Sequence, residues 1–201
     1  ITDPKEIGLF LNKLEEYRGS YEVKAALRMA SHIFLRPNEL SGLLWSEIDF
    51  EDKLIRIVPE RMKMNRMHLV PISKQVLTMF KELRKYNTGS MYVFPTPRDV
   101  NKPITPDSLR NAIRKLGIEK DEFTTHSFRS MASTRLNELD FKGEVIEMQL
   151  AHAEGNKIRG AYNHAEYLPE RKKMMQVWSN YLDKLQNKTP VSPSEYQQSL
   201  F

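Results

Sequence analysis

The sequence predicts a mainly α-helical domain with one small antiparallel β-sheet, an α+β fold. Apolar residues recur at helical spacing along most of the 201-residue chain, and several of these runs follow a helix-start signal. Two neighbouring stretches, KLIRIVPE (53–60) and MHLVPIS (67–73), are instead rich in β-branched residues. The basic connection RMKMNR (61–66) between them suits an antiparallel pair. Hydrophobic residues make up 40% of the chain, and no apolar run approaches the roughly 18 residues of a membrane span, so a globular fold without a membrane partner is expected.

Each element has a local cause. Asp3 and Pro4 read as N-cap and first residue of a helix whose apolar stripe is Ile7, Phe10, Leu11 and Leu14. A second helix runs from near Ser20 through Ala25, Leu27, Met29 and Ile33, until Pro37 drives Arg36 out of helical geometry and leaves it at a break. A short third helix is expected to carry Leu40, Leu43 and Leu44, ahead of the two strands. From Ser73, the residues Val76, Leu77, Phe80 and Leu83 mark a helix, and YVF (92–94) reads as a short strand followed by a proline-dense loop. Thr105 and Pro106 start a helix with Leu109, Ile113 and Leu116, which Gly117 stops. Thr124 and Thr125 signal another, with the stripe Phe128, Ala132, Leu136 and Leu139. Further helices are expected over 143–151 and from about Lys157 to Leu185, the latter kinked or divided at Pro169. The expected organisation is one domain over 1–185 and a flexible tail over 186–201 that ends in a small apolar anchor.

Charge and composition narrow the function classes. Lys plus Arg number 31 against 26 acidic residues, a net +5 that suits an anionic partner such as nucleic acid. With no cysteine, disulfides, thiolate metal sites and thiol nucleophiles are excluded, and a reducing cytoplasm is compatible. The first residue is Ile rather than Met, and no secretory signal precedes it, so a fragment of a longer cytoplasmic chain is expected.

The stretch THSFRSMASTRL (125–136) places His126 and Arg129 three residues apart at a helix start. Side chains so spaced are neighbours on one face, near the positive end of the helix dipole, so together they can address one small anion such as phosphate. Four other elements accompany this pair: FLRPNEL with Arg36, the strand connection with Lys63, LAH with His152, and AYNHAEY with Tyr162. In this order the set resembles the catalytic domain of the tyrosine recombinases, also called the phage integrase family. The blocks FLRPNELSGLLWSEID, ERMKM, HSFRSMASTRLNEL, LAH and AYNHAEYLPER are similar to those of integrases carried by satellite prophages and genomic islands. The likeness runs from about residue 3 to residue 185; its departures are Thr125 and Ser127, which flank His126 where glycine or another small residue is frequent.

The resemblance implies a site-specific recombinase that cleaves and rejoins DNA through a 3′-phosphotyrosyl intermediate, with no cofactor, metal or ATP. Tyr162 would be the nucleophile, a phenol with a pKa of about 10 that needs a cationic site and a base. Arg36 and Arg129 would stabilise the charge gathering on the phosphate, and His152 would add a hydrogen bond. His126 would accept a proton or hold the phosphate, and Lys63 would protonate the leaving 5′-oxygen. Arg61, Arg66, Lys157 and Arg159 are candidate DNA-phosphate contacts by charge and position. Tyr167, a rival nucleophile five residues on, is assigned to packing, since the family places its tyrosine about ten residues after the LAH histidine. Expected partners are double-stranded DNA attachment sites, a homo-tetramer on DNA, and accessory DNA-bending or directionality proteins; N-terminal arm-binding and core-binding domains would lie outside this sequence. Three alternatives stand beside this reading: a type IB topoisomerase-like strand transferase, a non-catalytic DNA-binding module, and a metal nuclease built on Glu47, Asp49, Glu51 and Asp52.

Overall fold

A computed structural model describes residues 1–62, 66–151 and 167–186. Asp3 caps α1 (Pro4–Glu15), its carboxylate accepting the Lys5 and Glu6 main-chain N–H groups, and Pro4 opens the helix where its missing donor costs nothing. The Ser20 hydroxyl caps α2 (Tyr21–Ile33), and α3 (Pro37–Ser41) begins directly after Arg36. Serine and threonine again act as caps at α4 (Lys74–Lys85), through Ser73, and at α5 (Pro106–Lys115), through Thr105. α6 (Ser127–Glu138), α7 (Gly143–Leu150) and α8 (Leu168–Gln186) complete the helices.

Three strands form one antiparallel sheet in the order β1 (Ile48–Asp49), β2 (Leu54–Ile57) and β3 (His68–Pro71). The β2–β3 pairing sets Ile55 opposite Val70 and Ile57 opposite His68, as the β-branched pattern predicts. Both strands are shorter than the stretches that foretold them, because Pro59 supplies no main-chain donor and residues 59–61 turn into a 3₁₀ helix.

Other expectations are corrected. YVF forms no strand; Tyr92 makes only an isolated bridge to Leu44. The proline-dense segment after it holds a hairpin instead, β4 (Pro95–Thr96) with β5 (Asp99–Pro103), because the two prolines face each other at its open end where no ladder donor is needed. α3 stops at Ser41, so Leu43 and Leu44 lie beyond it. α8 starts at Leu168, directly after the left-handed Tyr167, and Pro169 is its second residue, where proline is tolerated. The stretch before it that is expected to be helical, from Lys157 to Glu166, and the expected tail from Asn187 lie outside the described residues.

α2 lies centrally, in contact with α1, α3, α4, α5, α6 and α8, while α8 also touches α7 and β3. Leu27, Ile33 and Phe34 from α2 and its end meet Trp178, Tyr181 and Leu182 of α8, all essentially buried. Phe34 and Trp178 stack edge to face at 5.6 Å, and the indole N–H donates to the Ser31 carbonyl at 2.7 Å. A polar thread crosses this core: His32 Nδ1 lies 2.9 Å from the Ser179 hydroxyl, which donates to Ser73 Oγ at 2.7 Å. Burial, with help from the Arg28 charge, lowers the His32 pKa to about 4, so this imidazole is neutral in the fold. The packing fixes the ends of α2, α6 and α7 against one another, and the candidate chemistry lies there.

Candidate active site

Arg36 owes its place to three residues around it. Pro37 disfavours helical geometry at Arg36, whose φ and ψ are −64° and 150°, so α2 has to end before it. Phe34 makes the exit in the left-handed region, at φ 59°. Glu39, only 4% exposed, then reaches back along α3: one carboxylate oxygen accepts the Arg36 main-chain N–H at 3.0 Å and the other accepts from its guanidinium at 2.9 Å. The remaining Nη2 donates to the Ala151 carbonyl at 3.0 Å, 115 residues along the chain.

Arg129, in the first turn of α6, has a similar seat. Its two terminal nitrogens donate to the carbonyls of Phe34 and Leu150. Helix ends leave carbonyls unpaired and carry the negative pole of the dipole, so the termini of α2 and α7 are natural seats for guanidinium groups. Ala151, like Phe34, is left-handed, at φ 48°, and each of these two residues gives its carbonyl to one of the two arginines. Burial and the neighbouring Arg36 lower the Arg129 pKa to about 10, opposed by Glu39 and Glu147; the group stays charged at neutral pH.

His126 is the residue at the N-cap of α6, not Thr124 or Thr125 as the hydroxyl pattern suggested. The Ser127 hydroxyl takes the Thr124 main-chain N–H at 2.9 Å, which tightens the turn and leaves the His126 side chain exposed beside the buried Arg129. The loop leading into it is braced by Arg114, which donates to the carbonyls of Ile118 and Phe123. Phe123 is itself held by Phe10 and Phe128, with ring centroids 4.2 and 4.9 Å away. Two fixed guanidiniums and an accessible imidazole on the first turn of a helix make a cradle for a tetrahedral anion.

The family model of the phage integrase family matches residues 1–168, most of the chain. The chain belongs to the phage integrase family. It is 37% identical over 179 residues to prophage integrase IntS of Escherichia coli (strain K12) and 35% identical over 194 residues to the integrase of Enterobacteria phage P4, covering 89% of this chain in each case. The chain spans about half the length of these relatives, 46% and 44%. Among solved structures, the integrase from mycobacterium phage Brujita superposes with a TM-score of 0.66 at 17% identity, over 95% of this chain and 61% of that one. The Tn1549 transposon integrase in complex with circular intermediate DNA gives 0.55 at 18% identity, over 81% and 61%. At such identity these likenesses speak for the fold, which is that of integrase catalytic domains.

Within this integrase domain the structure brings together Arg36, Arg129 and the turn that carries His126. Lys63, His152, Lys157, Arg159 and Tyr162 lie outside the described residues. Arg66 is half-buried at the foot of β3, whereas Arg61 faces inward, paired with the buried Glu47 and donating to the Glu39 carbonyl at 3.2 Å. Tyr167 packs against the core, and its hydroxyl donates to Glu144 at 2.9 Å. The acidic stretch is occupied by arginines: Arg56 holds Asp49 at 3.0 Å and also Asp52, and Arg61 holds Glu47. The Asp52 main-chain N–H and Arg56 keep the Asp49 carboxyl below the usual carboxylate range. Among the described residues, no three His, Asp or Glu side chains are grouped as a metal site.

The sequence reading missed Glu39, Arg114, Gln149 and Arg171. Glu39 alone had a local signal, an acidic residue three positions after the residue that precedes a helix.

Proposed function

We propose that this chain is the catalytic domain, over residues 1–185, of a site-specific DNA recombinase that integrates or excises a mobile element. The observation that carries the reading is the convergence of Arg36 and Arg129 on the carbonyls of residues 150 and 151, immediately before His152. In the proposed reaction the Tyr162 oxygen attacks the scissile phosphorus and forms a phosphotyrosyl ester with the 3′ end. The bond to the 5′-oxygen breaks, and that oxygen leaves as a hydroxyl with a proton from Lys63. His126 takes the phenolic proton or holds the phosphate, and His152 donates a hydrogen bond to it. One phosphodiester is exchanged for another, so neither ATP nor a metal ion is required. Arg129 is buried and Arg36 is partly so, and both are held by fixed hydrogen bonds, a setting in which electrostatic stabilisation is effective.

Double-stranded DNA attachment sites are the proposed substrate. The similar proteins are integrases, and the Tn1549 integrase is in complex with circular intermediate DNA, which supports this. Arg66, Lys157 and Arg159 are proposed phosphate contacts, and Arg61 acts through the wall it forms with Glu47 and Glu39. Exchange would run in a homo-tetramer on two sites in the cytoplasm, with accessory DNA-bending or directionality proteins, N-terminal DNA-binding domains, and a tail over 186–201. No helix among the described residues is long and apolar enough to cross a membrane.

The test is a covalent trapping assay on a nicked suicide duplex carrying the attachment site, with excess chelator. The expected product is a protein-linked 3′ strand that disappears with Tyr162→Phe. Cleavage that survives this change, or that requires Mg²⁺, would overturn the assignment.

A further inference from the structure

Three consecutive residues at the end of α7 each receive a guanidinium. Ala151 and Leu150 give their carbonyls to Arg36 and Arg129, and Gln149 gives its side-chain oxygen to Arg171 of α8. Arg171 is 1% exposed, and among the described residues no carboxylate faces it. Its Nε and Nη2 both reach Gln149 Oε1, at 3.1 and 2.9 Å, while Nη2 also donates to the Leu69 carbonyl of β3. Beside Leu69, the ring of His68 hydrogen-bonds to the main chain of Gln149. Burial and the charges of Arg171, Arg129 and Arg36 lower the His68 pKa to about 3, so this ring is neutral in the fold.

Burying a guanidinium is costly, and an apolar side chain of similar volume would fill the space without that cost. What an apolar residue cannot do is hold three elements at fixed spacing through directed hydrogen bonds. Arg171 does this for α8, α7 and β3. It also fastens the start of α8 to the end of α7, the two points between which residues 152–166 run; the Tyr167 hydroxyl on Glu144 makes a second fastening.

We propose that Arg171 is a positioning residue for the reaction: by gripping Gln149 and Leu69 it fixes the last turn of α7, the seat from which Arg36 and Arg129 are aimed. This rests on the recombinase reading given above. Loss of Arg171 lets that turn shift, and the two arginines then meet the transition-state charge out of register.

The experiment is single-turnover covalent trapping at saturating DNA, with the full chain, comparing an ordinary scissile phosphate with one in which a methyl group replaces a non-bridging oxygen. The second has no charge for arginines to neutralise. Arg171→Met is expected to slow trapping about a hundredfold on the ordinary phosphate, and less than about tenfold on the neutral one, with DNA affinity unchanged. Gln149→Leu should show the same pattern, and the double variant should lose no more than either single one. Equal losses on both substrates, additive losses, or an unchanged rate would overturn the inference. Should Arg171→Met fail to fold, Arg171→Lys keeps the charge without the fork and is judged by the same two substrates. A Tyr162→Phe control separates the questions: covalent product from that variant defeats the recombinase reading, whereas a wild-type rate in Arg171→Met defeats only this inference.

Discussion

Arg129 is held by two main-chain carbonyls and Arg36 by the Glu39 carboxylate and one carbonyl, so the aim of each depends on the fork geometry of guanidinium and not on charge alone. Lysine at either position keeps the charge but cannot span two acceptors; Arg36→Lys or Arg129→Lys should therefore slow phosphotyrosyl formation by about two to three orders of magnitude, roughly 3 to 4 kcal/mol in barrier. Glu39 touches no proposed reacting atom and acts through Arg36. Glu39→Gln should cost about tenfold to a hundredfold in single-turnover rate while leaving DNA affinity unchanged, a split that gel-shift and trapping assays resolve. The arginines were legible in the sequence because their motifs are local. Arg171 was not, because its acceptors lie 22 and 102 residues away and nothing in its own neighbourhood, ERKKMM, sets it apart from its basic neighbours.

Helix starts were the most readable features at the level of elements. Asp3, Ser20, Ser73 and Thr105 each cap the helix that their sequence context announces. The exception is α6, where serine and threonine crowd the start and the hydroxyl pattern cannot choose among them; Ser127 binds backward to Thr124, and His126 becomes the cap. Short strands were hardest to read, since β1 and β4 are two residues each and leave no alternation to detect. The loop into α6 depends on Arg114, whose removal orphans the carbonyls of two buried residues, Ile118 and Phe123. Arg114→Met should lower unfolding free energy by about 1–3 kcal/mol. Limited proteolysis should show earlier cutting between residues 117 and 126.

For the molecule as a whole, two buried imidazoles set the acid limit. His32 and His68 have pKa values lowered to about 4 and about 3 in the fold, against about 6.5 in the unfolded chain. Above that value both states are uncharged and pH has no effect through these groups. As pH falls below it, only the unfolded chain takes up the protons, so stability declines toward the folded values, by about 2 kcal/mol per imidazole near pH 5. Urea midpoints at about pH 7.5 and about pH 5 measure the loss, and His32→Gln should flatten it. The net +5 charge bears on the proposed DNA complex in a different way. Binding should weaken steeply with salt, and Arg66→Ala should reduce the slope of log K against log salt by about one. Fold class was legible at this scale from periodicity and composition, whereas the way α2 gathers other helices around itself was not, since most of those contacts join segments far apart in the chain.

The bond from Arg36 to Ala151 also has a consequence for the order of events during synthesis. A ribosome makes the Ala151 acceptor 115 residues after Arg36. Until that second segment has emerged, the first guanidinium has Glu39 but lacks its outer anchor, and Arg129 lacks Leu150. Incomplete translation products that end before Leu150 therefore cannot assemble the cradle.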